Sequence, residues 1–236
     1  MHPSIHPAVS KSSLTVPEFA GAERFLLAAC VFLMAMAVFL RNFDDPLLRA
    51  VYGLTSAENI AIWGAVSRLG SGFTLTPVVA AVTLVLLWRG QSMSALALAL
   101  GWAATSLTVE YLQWLLDRSR PSFTPLFAAG SSFPSAHAAH AAFVYCSLAL
   151  GFPGRVMLAG RVGGWIWRMR WIVCVGLAAA TGYSRLALGL HWPSDVMAGW
   201  AVGLFFCALT LVLRNPCPVP APVGLGRAGD GPHDGS

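Results

Sequence analysis

Arg185 is followed six residues later by His191 and four residues after that by Asp195, with Ser184 directly ahead of the arginine. The flanking stretches are apolar enough to enter a membrane, where charged side chains are costly and mark functional sites. A guanidinium, an imidazole and a carboxylate together serve one chemistry. The cation holds an anion, the imidazole attacks it, and the carboxylate fixes the imidazole tautomer.

Two further polar clusters interrupt the apolar pattern, Asp117-Arg118-Ser119-Arg120-Pro121 and Ser132-Phe133-Pro134-Ser135-Ala136-His137. Arg120 and Arg185 supply two guanidinium forks that match phosphate oxygens in pairs. Pro134 and Pro193 each suit the first position of a helix. Ser135 then falls in a first turn whose free N–H groups and dipole attract an anion. His137 is a candidate general acid for a leaving oxygen. The carboxylates are too few for a pair of magnesium ions, and the arginines can balance phosphate charge instead, so neither metal nor cofactor is expected. Of the neighbours, His140 reads as a lining or packing side chain and Arg118 as a solvated or headgroup contact. Glu110, inside an apolar run, reads as paired within the bundle. Trp192 alone among the tryptophans reads as pocket lining; most others suit interface belts.

These side chains must be held by membrane helices. Of 236 residues, 56% are hydrophobic and 11% charged, and mean hydropathy is +0.66, against roughly 25% charged residues in soluble domains. The net charge of +5 fits topology-setting arginines better than nucleic-acid binding. Cys30, Cys146, Cys174, Cys207 and Cys217 form no Cys-x-x-Cys pair and read as packing residues. Apolar runs at 24–40, 73–88, 93–116, 136–152, 171–182 and 196–213 predict six transmembrane helices, the fifth reaching span length only if it extends through 186–190. Segment 41–71 predicts short amphipathic helices on the membrane surface, or ordinary extramembrane helices. Residues 1–22 read as a flexible tail, 23–213 as one membrane domain, and 214–236 as a disordered Pro/Gly-rich tail.

Charge sets the orientation. Arg155, Arg161, Arg168 and Arg170 fall in one loop with no acid, which the positive-inside rule places in the cytoplasm. Both termini then lie on the cytoplasmic side, and all three polar clusters share the opposite, extracytoplasmic face.

In order and spacing the clusters resemble the type 2 phosphatidic acid phosphatase superfamily of lipid phosphate phosphatases. That family's pattern is Lys-x6-Arg-Pro, then Pro-Ser-Gly-His, then Ser-Arg-x5-His-x3-Asp. Arg120-Pro121, Pro134-Ser135-Ala136-His137 and Ser184-Arg185-x5-His191-x3-Asp195 match it, and the resemblance covers about 72–212. It implies that His191 attacks phosphorus and becomes a phosphohistidine, supported by Asp195. His137 protonates the leaving group and then activates water. Arg120, Arg185 and Ser135 hold the phosphoryl oxygens, with Ala136 and Ser184 as further contacts. Two positions depart from the pattern. Gln113 stands where the family has lysine, with Arg118 as one source of the missing cation. Ala136 replaces the glycine of the second motif, which matters only if that turn needs positive φ.

The expectation is an all-α, six-span phosphatase of a bacterial inner membrane, with membrane lipids around it and a lipid phosphate or pyrophosphate as substrate. Undecaprenyl pyrophosphate, phosphatidylglycerol phosphate, phosphatidic acid and lipid A phosphate are candidates. A lipid phosphotransferase using the same site, or a weakly active lipid-phosphate binding or transport protein, are the alternatives. The sequence carries no sign of oligomeric state.

Overall fold

The computed structural model describes residues 21–122, 124, 126, 128–151 and 161–214. The tail readings fall outside these residues except at Gly21, Ala22 and Arg214, of which the last two are helical; Cys217 and the first part of the arginine loop, with Arg155, also lie outside. The described chain folds into eight α-helices: α1 (Ala22–Leu40), α2 (Asp44–Gly53), α3 (Ala57–Arg68), α4 (Gly72–Trp88), α5 (Ser92–Leu116), α6 (Ala136–Ala149), α7 (Arg161–Ala187) and α8 (Pro193–Arg214). There is no strand among the described residues.

Each apolar run forms a helix, and segment 41–71 forms two, α2 and α3. A 3-10 turn at Arg41–Phe43 joins α1 to α2. Four stretches are long and apolar enough to cross a membrane by length and composition: Ala22–Gly53, Glu58–Trp88, Ser92–Leu116 and Pro193–Arg214. The other two expected spans fall short of that standard for different reasons. α6 has only 14 residues, ten of them buried, so it spans about 21 Å at 1.5 Å per residue and is sheathed by protein. α7 carries Arg168, Arg170 and Arg185 and starts at Arg161, ten residues before the expected apolar run. Arginine is a good helix former, so charge alone gives no stop signal.

α6 sits at the centre, against α7, α8, α5 and α4, while α1 lies along α8. The α6–α8 contact is built from small residues. A Cβ on Gly199 would lie 2.5 Å from the Ser135 carbonyl, and one on Gly203 would lie 2.3 Å from the Ala139 carbonyl. Such small-residue stripes let helix backbones approach closely in a membrane. Here they bring the N-terminus of α6, with Ser135 and His137, against the N-terminus of α8, with Asp195. The Ser135 N–H donates to the Asp195 carbonyl at 3.0 Å, locking the two ends together.

Candidate active site

The three polar clusters meet at one end of the bundle: the C-terminus of α5, the N-terminus of α6, the C-terminus of α7 and the N-terminus of α8. α5 stops at Asp117, which adopts the left-handed conformation (φ 34°) and returns its N–H to the Gln113 carbonyl. The chain then folds back on itself. Ser132 N–H donates to Arg118 O at 2.8 Å, and Ser132 Oγ to Ser119 O at 3.1 Å. α8 opens with Pro193 in its first turn, and the Asp195 carboxylate accepts the Trp192 N–H at 2.8 Å. This is one half of the capping box, the half made by a carboxylate three residues into a helix.

His191 lies in the short α7–α8 connection and is almost wholly buried. Its Nδ1 is 2.7 Å from the Ser132 carbonyl and its Nε2 is 3.0 Å from Arg120 Nη1. A carbonyl only accepts and a guanidinium only donates. The proton therefore sits on Nδ1, and Nε2 presents a lone pair beside a cation. Asp195 Oδ2 is 3.5 Å from Nδ1. The tautomer-fixing bond expected from Asp195 is thus made by a backbone carbonyl, with the carboxylate alongside as a charge. Burial pushes the His191 imidazole well below its ordinary range, and Arg185 and Arg120 add to that; the Ser132 carbonyl opposes it and loses.

Arg120 is the hub of the loop. Beside His191 it donates to the carbonyls of Gly130, Leu190 and Ser131 at 3.0, 2.9 and 3.1 Å, so its fork is held rigid. Burial draws this guanidinium below its usual value, with Asp195 acting the other way. Arg185 is buried on α7, gives Nη1 to Ser67 Oγ of α3 at 2.6 Å, and leaves Nε with no hydrogen-bond partner. Ser135 Oγ, also buried, likewise has none. His137 stands in the first turn of α6, within electrostatic reach of Arg185, His191 and Arg120. The structure therefore gathers His191, Asp195, His137, Arg120, Arg185 and Ser135 in one place.

Other positions differ from expectation. Pro134 precedes α6 rather than opening it; Ser135 is the N-cap and Ala136 the first helical residue. Ala136 has no positive φ, so alanine keeps the backbone geometry there. Ser184 Oγ donates to Thr181 O at 2.6 Å, spending its proton within α7 rather than on a ligand. Gln113 Nε2 donates to Pro134 O at 2.9 Å, tying α5 to the second motif. Arg118 is half-buried and is not available as the missing cation. It donates to Asp195 Oδ1 at 2.6 Å, Ser194 Oγ at 2.7 Å and Asp44 Oδ2 at 2.6 Å, and its guanidinium lies over the Trp192 ring. Glu110 is exposed rather than paired inside the bundle. His140 is as expected, with Ser106 Oγ 3.2 Å from Nε2 and Trp102 against its ring.

Sequence reasoning missed Asp44, Ser67 and the Ser132 carbonyl. A backbone acceptor leaves no trace in residue type. Asp44 left one, a carboxylate at the start of a mixed segment, but nothing marked its distant partners. Among the described residues no group of three or more His, Cys, Asp or Glu side chains is placed to hold a metal ion.

The sequence pattern of the PAP2 superfamily matches residues 94–217. Phosphatidylglycerophosphatase B of Bacillus subtilis is 25% identical over 180 residues, 76% of this chain and 85% of that protein. A lipid A 1-phosphatase of Rhizobium etli is 27% identical over 220 residues, 80% and 85% of the respective chains. In fold, the chain is similar to the crystal structure of the first transmembrane PAP2 type phosphatidylglycerolphosphate phosphatase from Bacillus subtilis, with TM-score 0.67 and 22% identity over 79% of this chain and 94% of that one. The pattern match runs from α5 past α8, taking in more than half of the chain and with it Arg120, His137, Arg185, His191 and Asp195, and by it this protein belongs to the PAP2 superfamily.

Proposed function

We propose that the protein is an integral membrane lipid phosphatase that passes a phosphoryl group first to His191 and then to water. His191 Nε2 donates its lone pair to phosphorus, the bond from phosphorus to the leaving oxygen breaks, and protonated His137 gives that oxygen its proton. In the second step His137 takes a proton from water, the water oxygen attacks phosphorus, and the N–P bond breaks to release inorganic phosphate. Arg120 and Arg185 spread the phosphoryl charge without calling on a metal ion. Ser135 Oγ and Arg185 Nε, both buried and unpartnered, are suited to the remaining oxygens. Asp195 balances the positive charge that the imidazole carries while phosphorylated.

The observation that carries this reading is the hydrogen-bond pattern at His191, with Nδ1 on the Ser132 carbonyl and the Nε2 lone pair facing Arg120 Nη1, from which it accepts. The named relatives support a lipid substrate: phosphatidylglycerophosphate, lipid A phosphate, or a chemically similar polyprenyl diphosphate or phosphatidic acid. In this proposal α1, α4, α5, α6, α7 and α8 cross the bilayer, α2 and α3 lie at its surface, and the site opens on the extracytoplasmic side. The test is phosphate release from a panel of these lipids in detergent. Wild type should release inorganic phosphate and form an acid-labile phosphoenzyme, and His191→Ala should do neither. Equal release by the two proteins would sink the reading; a phosphorylated acceptor lipid in place of free phosphate would make the enzyme a transferase. Activity that a chelator abolishes and a metal restores would remove the metal-free step.

A further inference from the structure

Asp44 lies outside the region that the superfamily pattern matches, in the first turn of α2, yet it is buried against the start of α8. Its Oδ1 accepts the Ser194 N–H at 2.9 Å, and its Oδ2 accepts Ser194 Oγ at 2.5 Å and Arg118 Nη2 at 2.6 Å. The other arm of the same guanidinium reaches Asp195 Oδ1 at 2.6 Å. The hydrogen bonds to the two carboxylates all come from donors: Arg118 and the Trp192 N–H to Asp195, Ser194 and Arg118 to Asp44. Donor-only surroundings of this kind suit ionised carboxylates, which can only accept. The chain of groups therefore runs Asp44, Arg118, Asp195, His191, from α2 to the nucleophile.

The charges decide what this chain does. Alone, Arg118 would cancel Asp195. With Asp44 on its other arm, Arg118 is balanced, and the three groups together carry one negative charge beside an imidazole that gains one positive charge when phosphorylated. We propose that Asp44, acting through Arg118, is a positioning residue for the reaction: it frees the charge of Asp195 for His191 and fixes the Asp195 carboxylate in place. This rests on the phosphohistidine reading above. It also explains why Arg118, two residues from Arg120, does not serve the phosphate.

The kinetics of purified full-length protein in detergent, normalised to folded protein by size exclusion, test the proposal. Asp44→Asn leaves Arg118 pulling on Asp195 alone. Its kcat should fall roughly tenfold or more, as for other supporting partners of a reacting group, with KM within about twofold because Arg120 and Arg185 are untouched. The groups facing His191 are Arg120 and Arg118 from the loop, Arg185 from α7, His137 from α6 and Asp195 from α8. Only the balance on Arg118 changes, so the acid limb of kcat should move to lower pH. Adding Arg118→Gln to Asp44→Asn removes the unbalanced cation and should restore much of kcat. Should Asp44→Asn not fold, Arg118→Lys keeps the charge, loses the fork and should give the same kcat-only loss. Wild-type kcat in the folded variant, a loss confined to KM, or a double variant weaker than Asp44→Asn would overturn the proposal. If His191→Ala retains wild-type activity, the phosphatase reading itself fails; if His191→Ala is inactive and Asp44→Asn is not impaired, only this inference does.

Discussion

At His191 one backbone carbonyl fixes which nitrogen carries the lone pair. The Ser132 oxygen can only accept, so the lone pair must be on Nε2, where Arg120 stands 3.0 Å away. Burial and the two arginines hold the imidazole well below its ordinary value of 6.5. The sign follows directly: a base with a depressed pKa stays neutral, and so nucleophilic, as pH falls through that value. The acid limb of kcat should therefore lie below pH 6.5. Arg185→Gln removes one of the depressing charges and should move that limb upward, whatever it does to KM. A limb that stays put in Arg185→Gln would show that this arginine does not act on His191. Ser135 yields a second prediction. Its buried hydroxyl has no partner, so Ser135→Ala breaks no native hydrogen bond and should leave thermal stability unchanged. If the hydroxyl meets the phosphoryl group, kcat/KM should drop roughly 10- to 100-fold, the range for a hydrogen bond to a charged group. His191, His137, Arg120 and Arg185 were legible because their chemistry and spacing stand out against an apolar chain. The roles of Arg118, Gln113 and Ser184 were not, because each is decided by a partner far away or by a backbone carbonyl.

The helices position these groups by close packing at their ends. α6 and α8 approach closely because Gly199 and Gly203 face the backbone at Ser135 and Ala139, and that approach places His137 near His191. Apolar periodicity predicted both helices. It could not predict the contact, since glycine in a membrane run is equally consistent with lipid exposure. The start of α7 differs from the apolar run for a related reason: apolarity stops at the arginines, whereas helix formation begins ten residues earlier, at Arg161. A Cβ on Gly203 would overlap the Ala139 carbonyl at 2.3 Å, while one on Gly176 of α7 would meet nothing within 4 Å. Gly203→Ala should thus cost about 1–3 kcal/mol of stability through overpacking, and displacing the site by about 1 Å should lower kcat roughly 100-fold. Gly176→Ala should be neutral or slightly stabilising, because it removes only unfolded-state freedom. Thermal unfolding and kcat measured on both variants separate packing at the α6–α8 seam from a general intolerance of alanine.

Across the whole molecule, the site occupies one end of the bundle and the arginine-rich start of α7 the other. Gly164 and Arg185 lie 21 positions apart on one continuous helix, a separation of roughly 30 Å at 1.5 Å per residue that matches the hydrocarbon thickness. In the proposed topology one end then faces each side of the membrane. Arg168 and Arg170 stand close to the Gly164 end, and the sequence has no acid between Asp117 and Asp195, so the positive-inside rule favours the proposed orientation, with that end in the cytoplasm and the His191 end outside. Two exposed positions report on this: Ser119, whose contacts to Ser132 and Trp192 use only its carbonyl, and Gly164, beside which a Cβ meets nothing within 4 Å. In a background with all five cysteines replaced by serine or alanine, Ser119→Cys should react with a membrane-impermeant maleimide in intact cells. Gly164→Cys should react only after permeabilisation. The reverse pattern would place the site in the cytoplasm. A lipid phosphate would then have to be presented from the inner leaflet, and the arginines of α7 would lie on the side where positive charge is disfavoured.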